Sequence, residues 1–280
     1  MAIKDLLVAY DGNEASEKAL EFALKMGAKY GAVVTGMKVN TPPKFDSHVR
    51  RWMPEDVIKG MAEAQNEASA AIKSKFEAHV AASGFEGETG WLVEEGQPDI
   101  MLARSARFYD LLLIGQFESA FRPEMHRTVD PKELLLRAGK PIIIVPKGYT
   151  VRDFNETAAV AWDASRFAAR ALTDAMQILE TKKSLDVLTA ETSPSSDAKS
   201  RMPGLDIFVH LKRHGVTANE VRLDKSGASI AGAILEHCAK TDPDVLVMGA
   251  YGRGTFSAAL FGSVTRTVLE KQNVPVLLSH

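Results

Sequence analysis

Two distant stretches of this 280-residue chain match each other: AYDGNEASEKAL at residues 9–20 and AWDASRFAARAL at residues 161–172. Each begins at the end of a short apolar run, Leu6–Tyr10 or Ala158–Trp162, and each places an aspartate directly after it, Asp11 or Asp163, which sets an offset of 152 residues. At the far end the offset is 134, with Gly115 falling on Gly249 and Lys140-Pro141-Ile142 on Val274-Pro275-Val276. The second copy is therefore 18 residues shorter, mostly in the loop and helix after its second strand. An internal duplication restricts the fold severely, because whatever unit the first copy builds the second must build again.

The unit reads as alternating strands and helices. In the first copy the strands are Leu6–Tyr10, Ala32–Val39, Glu88–Glu94, Leu111–Ile114 and Pro141–Val145. Between them, Ser16–Tyr30 carries one apolar stripe (Ala19, Leu20, Ala23, Leu24, Ala28), Pro54–Ala82 is a long amphipathic helix closed by Gly84, and Asp99–Arg107 is a third helix. After Lys147-Gly148-Tyr149-Thr150 the order restarts, with strands at Ala158–Trp162, Leu185–Thr189, Glu220–Leu223, Val245–Met248 and Val274–Leu278 and helices at Met202–His214 and Ser229–Ala239. Such alternation predicts an α/β fold: two repeated domains, residues 1–150 and 151–280, each a five-stranded parallel sheet with helices on both faces.

Composition excludes several classes. The formal charge of -2 supplies no basic footprint for nucleic acid or an anionic membrane, and no apolar run approaches a membrane span. The start, MAIKDLLVAYDG, is not a signal peptide. A single cysteine, Cys238, rules out an internal disulfide and fits a reducing cytoplasm.

The stretch Asp244–Leu278 holds the most specific pattern. A buried strand ends at Gly249, glycines recur at Gly252 and Gly254, and Gly262-Ser263 stands ahead of a helical segment in which Val264, Val268 and Leu269 share a face. A helix start of this kind offers free N–H groups and a positive dipole end, which suit a phosphate. No GK[ST] follows at Walker A spacing, and no GxGxxG follows the first strand.

The spacing Gly249, two residues, Gly252, nine residues, Gly262-Ser263 resembles the nucleotide-binding signature of the universal stress proteins without a gap. Met248 before it and Val264-Thr265 after it are also similar to that family's ATP-binding members, and with the duplication the resemblance covers nearly the whole chain. It implies a tandem universal stress protein whose halves pair with each other through their last strands, and it leaves open a homodimer of whole chains. It further implies that the C-terminal domain binds ATP or a related adenine nucleotide, with magnesium as a charge partner for the triphosphate. Asp163 would then hold the nucleoside. Backbone N–H groups about Gly249, Gly252 and Gly262 would approach the phosphates, with Ser263 and Thr265 adding hydroxyls and Arg253 a charge-assisted contact.

Each of these residues has a plainer reading. Asp163 and Asp11 can simply cap the following helix, Arg253 can be a solvated loop charge, and Trp162 can stack on a base or fill the pocket. The duplication also supplies an internal comparison: Gly252 corresponds to Glu118, Arg253 to Ser119, Gly262 to Thr128, Ser263 to Val129 and Val264-Thr265 to Asp130-Pro131. A loop carboxylate repels phosphate, valine donates no hydrogen bond and proline removes a backbone donor, so the N-terminal copy is expected to have lost the cradle.

Other reactive residues point to no catalyst. His210 and His214 share a helix face without evident further ligands, Cys238 lies among apolar neighbours, and Glu94-Glu95 reads as a solvated loop after a strand. No GxSxG elbow or general base beside a nucleophile emerges, which leaves at most slow ATP hydrolysis or transfer to a hydroxyl such as Ser263. Two rival readings remain: a nucleotide-free interaction and assembly module, and an ATP-using enzyme of a related fold, whose PP-loop or HxGH-type motif this chain lacks.

Overall fold

The computed structural model describes residues 3–41, 53–116, 129, 131–190, 206–224, 229–250 and 262–280. In the first half these form β1 (Asp5–Ala9), α1 (Glu14–Tyr30), β2 (Val33–Asn40), α2 (Glu55–Ser83), β3 (Thr89–Glu95), α3 (Pro98–Ala106), β4 (Leu111–Gly115), α4 (Pro131–Ala138) and β5 (Ile142–Val145). The second half contains β6 (Thr157–Ala161), α5 (Arg166–Leu179), β7 (Ser184–Ala190), α6 (Ile207–Arg213), β8 (Ala218–Leu223), α7 (Ile230–Thr241), β9 (Val245–Gly249), α8 (Ser263–Lys271) and β10 (Val276–Ser279).

All ten strands belong to one sheet, in the order β3-β2-β1-β4-β5-β10-β9-β6-β7-β8. Every neighbouring pair is parallel except β5 and β10, which meet antiparallel with Ile143 opposite Leu277. The halves are thus two doubly wound parallel units fused at a central seam. Side chains stitch it: Gln116 Nε2 donates to the Leu269 carbonyl at 3.0 Å, and Gln272 Nε2 donates to the Ile144 carbonyl at 3.2 Å.

Local chemistry explains the elements. Asn13 caps α1 by accepting the Ser16 N–H at 2.8 Å, and Gly31 ends that helix at φ 62, where a side chain would be strained. Gly84 closes α2 in the same way, at φ 68. The apolar runs of β1, β4, β5 and β9 are continuous because helices cover both faces of the sheet. On one face α1, α2, α5 and α6 pack on Leu6, Val8, Leu113, Val160 and Val247; on the other α3, α4, α7 and α8 pack on Leu7, Leu112, Ile144, Leu246 and Met248.

Three readings change. Helix α4 carries no mark in the sequence reading above. Glu94 and Glu95 do not follow β3 as a loop but form its exposed last residues. Of the helix expected at Met202–His214, the described part is Ile207–Arg213, and residues 202–205 lie outside the described residues.

The start of the second half is pinned by one carboxylate. Asp244, only 1% exposed, accepts the N–H groups of Asn155 (2.8 Å) and Glu156 (2.9 Å), the Arg152 guanidinium (3.1 Å) and the Lys182 ammonium (2.7 Å). Burial pushes its carboxyl up, but Lys182, the Asn155 N–H and Arg152 together outweigh this and hold it below the usual range. Burial also draws the Lys182 pKa down. From the first half, Lys29 reaches Glu156 and Lys25 reaches Asp153, so the same corner clasps α1 to the connection between the halves. At an offset of 134, Asp110 plays a reduced version of this part, taking among the described residues the Lys4 and Asp5 N–H groups (2.7 and 3.1 Å).

Candidate functional site

In the second half the chain runs from β6 outward to β7 and β8, then crosses back to β9 on the other side of β6. Ligands in open parallel sheets bind at the carboxyl ends where strand order reverses, here between β6 and β9. Val160 is in register with Val247, so Trp162 continues level with Gly249 and Asp163 follows at the rim. Because α5 and α8 run back against the strands, both helix starts also stand at this rim, one on each face of the sheet.

Asp163 accepts the Ser165 N–H at 2.9 Å, and Ser165 in turn caps α5 by accepting the Ala168 N–H at 3.2 Å. The helix cap is therefore Ser165, and Asp163 orders the turn before it. The first half repeats the device, with Asp11 accepting the Asn13 N–H at 3.1 Å. The residue between aspartate and cap is left-handed in both copies, Gly12 at φ 78 and Ala164 at φ 58.

Gly249 ends β9 against the first turn of α5: a Cβ there would lie 2.7 Å from the Phe167 carbonyl carbon and 2.8 Å from the Ala168 nitrogen. Gly115 meets Ala15 likewise, at 2.3 Å from its carbonyl carbon and oxygen. Retention of glycine at this position in both copies has a packing reason: the helix start crosses the strand end in backbone contact.

Met248 is buried among the apolar residues under α7 and α8. Gly262 precedes α8 as its cap with no side-chain hydrogen bond, Ser263 opens the helix in an exposed position, Val264 is half-buried and Thr265 is buried. The first turn of α8 contains no acidic residue, so its amide groups and dipole suit an anion. Gly252 and Arg253, like their counterparts Glu118 and Ser119 in the first half, lie outside the described residues. So does the apolar segment 255–261.

One cation at this rim escaped the sequence reading. At the offset of 152, Arg166 in the first turn of α5 stands where α1 has Glu14. Its guanidinium carbon sits 4.6 Å from the Phe167 ring centre, and that ring is 5.5 Å from the His280 ring. Burial, then Arg166, lowers the His280 pKa. A cation in a first helical turn opposes the macrodipole, whereas Glu14 and Glu17 in α1 complement it. The first turns of α1 and α5 thus differ in sign of charge.

The corresponding rim of the first half is filled. Tyr10, the partner of Trp162, is buried with Phe76 from α2 and Trp91 from β3, at ring-centre distances of 5.6 and 6.2 Å. Its hydroxyl has no hydrogen-bond partner among the described residues, and burial pushes its pKa up to about 12. Trp162 is only half-buried against the same face of the core.

Cys238 is fully buried, and burial pushes its thiol up to about 12. The His210 and His214 rings lie 4.7 Å apart, tilted by 57°, and no group of three metal-ligating side chains occurs among the described residues. No helix there is long and apolar enough to cross a membrane.

The fold is thus a tandem, doubly wound α/β protein whose strand order reverses between β1 and β4 in one half and between β6 and β9 in the other. The model of the universal stress protein family matches the chain twice, at residues 2–146 and 155–280, and the chain belongs to that family. Among solved structures it is similar to a universal stress protein from Archaeoglobus fulgidus DSM 4304, at a TM-score of 0.71 and 18% identity over 98% of this chain and 97% of that one. It is also similar to a functionally unknown protein from Pseudomonas aeruginosa PAO1, at a TM-score of 0.58 and 16% identity over 99% of this chain and 92% of that one. A search of curated protein sequences finds no match.

Proposed function

We propose that this universal stress protein binds ATP, or a related adenine nucleotide, in its C-terminal domain (residues 151–280) and acts in the cytoplasm as a stress-response regulatory or protective module. The observation that carries the reading is the rim between β6 and β9. There Asp163, the strand end at Gly249 and the α8 start, which has no side-chain cap, surround the point of strand reversal. Asp163 would contact the nucleoside. Backbone N–H groups about Gly249, Gly252 and Gly262 would approach the phosphates, with the Ser263 and Thr265 hydroxyls and Arg253, and magnesium would offset their charge. The N-terminal domain (residues 1–150), with Glu118 in its loop and rings across its rim, serves as scaffold.

Calorimetry of the full chain with ATP and magnesium tests this, beside Gly252→Glu, which copies the N-terminal loop. Binding near one nucleotide per chain, abolished by Gly252→Glu, is the expected result; Asp163→Ala should weaken it and Asp11→Ala should not. Absence of binding by the folded wild type would favour the alternative, a nucleotide-free interaction module. The filled N-terminal rim is the observation behind that alternative.

A further inference from the structure

The ten-stranded sheet has two edges, β3 and β8, and they are built differently. Along β8 the polar groups are satisfied within the molecule: Arg222 pairs with Glu220 at 3.3 Å, and Asn219 Nδ2 donates to Asp186 Oδ1 at 3.0 Å. None of its residues is a large exposed hydrophobic. Along β3 Leu92 and Val93, on opposite faces of the sheet, are 36% and 46% exposed. Four exposed carboxylates lie about them, Glu86, Glu88, Glu94 and Glu95, and none makes a side-chain hydrogen bond or ion pair to the described residues.

The backbone of β3 is equally one-sided. Val34 N–H donates to the Glu88 carbonyl at 3.1 Å, and Gly96 N–H donates to the Asn40 carbonyl at 2.9 Å. With Gly36 in register with Trp91, the parallel ladder between these bonds uses the N–H and C=O groups of Gly90, Leu92 and Glu94. Those of Trp91 and Val93 therefore point away from β2, and no strand of the described residues pairs with them.

We propose that the free edge of β3 takes up an extended segment of a partner protein as an additional strand, with its alternate apolar residues on the face of Val93 and Lys or Arg flanking them to meet Glu88, Glu94 and Glu95. Strand addition of this kind draws affinity from main-chain hydrogen bonds and specificity from alternate side chains. A second copy of this chain is the poorer occupant: its β3 brings no cation to these carboxylates, and the antiparallel pair centred on Trp91 sets Glu88 opposite Glu94, a like-charge contact. A basic partner strand turns the same positions into attraction.

The test uses the full chain and a labelled synthetic peptide, Lys-Arg-Val-Thr-Val-Thr-Val-Arg-Lys, followed by fluorescence anisotropy. A version with Glu at every basic position serves as control. Val93→Pro removes one outward N–H without touching the β2 ladder, a position where an edge strand tolerates proline. Saturable binding of the basic peptide is expected. It should weaken about tenfold or more in Val93→Pro and in Glu94→Lys/Glu95→Lys, and the acidic control should not bind. Hydrogen exchange on the wild type, which needs no variant, should show the Trp91 and Val93 amides protected by the peptide. Equal binding by Val93→Pro with those amides unprotected would reduce the effect to charge adhesion and overturn the proposal. So would failure of the peptide to bind the wild type, or a wild-type dimer in sedimentation that Val93→Pro dissolves.

Discussion

The two halves share strand order, helix placement and even the aspartate turn at the rim, yet their rims are occupied differently. In the first half α2 runs for 29 residues and delivers Phe76 onto Tyr10 and Trp91; in the second the equivalent connection contains α6, which is 7 residues long, and leaves Trp162 half-buried. A Cβ at Gly36 would come within 2.6 Å of the Phe76 ring, so the β2 backbone has been cleared for these rings. The register equivalent in β7 is Val187. A doubly wound unit therefore offers a point of strand reversal by topology alone, and in the first half a ring delivered by the long crossover helix packs beside it.

The largest difference to be forced between the halves lies at the opposite ends of the strands. Asp244→Ala leaves the Lys182 ammonium, only 2% exposed, without its nearest partner and should cost about 3–5 kcal/mol. Asp110→Ala removes two backbone contacts and should cost about 1 kcal/mol; urea unfolding of both variants makes the comparison. The Asp244 carboxyl is held below its unfolded value, so its contribution is complete above pH 4 or so and disappears as pH falls through the folded value. The wild type should lose more stability than Asp244→Asn as pH falls below about 4.

Next come the two strand-end glycines. Gly115→Ala sets a methyl 2.3 Å from the Ala15 backbone and Gly249→Ala sets one 2.7 Å from that of Phe167, so both should destabilise by about 2–3 kcal/mol, Gly115→Ala more. Equal melting temperatures for the two variants would mean that α1 and α5 shift with equal ease.

A smaller pair of opposite sign sits in the aspartate turns. Gly12→Ala should cost about 1 kcal/mol, whereas Ala164→Gly should add about 0.5 kcal/mol by relieving the left-handed alanine. Smallest is Tyr10→Phe, which removes a buried hydroxyl with no partner and should be neutral or stabilising by up to about 1 kcal/mol, as thermal melting can show.

Much of this architecture could be read from residue order, because helix and strand periods are local. The stripe of α1, the Gly84 stop of α2 and the apolar runs of β4 and β9 appear where their patterns place them. Helix α4 escaped because PKELLLRA makes barely two turns and its leucines stand in a row rather than at helical spacing. The seam and the Asp244 corner could not be read, since they join residues 62 to 153 positions apart. At the rim the limit was different. A glycine that admits a phosphate and a glycine that admits a helix look alike in sequence, and only the Phe167 contact supplies a packing reason for Gly249. Arg166 was legible all along by laying the second copy on the first.

The antiparallel junction of β5 and β10 has a thermodynamic corollary. Two separate subunits meeting along three residue pairs would part on dilution, and their melting would track concentration. Here the segment between Val145 and Thr157 keeps the partner strand at a fixed effective concentration, however scarce the protein becomes. The association of unlike halves is thus a first-order property of each molecule, insensitive to expression level, and each chain is a ready-made heterodimer whose members can change independently.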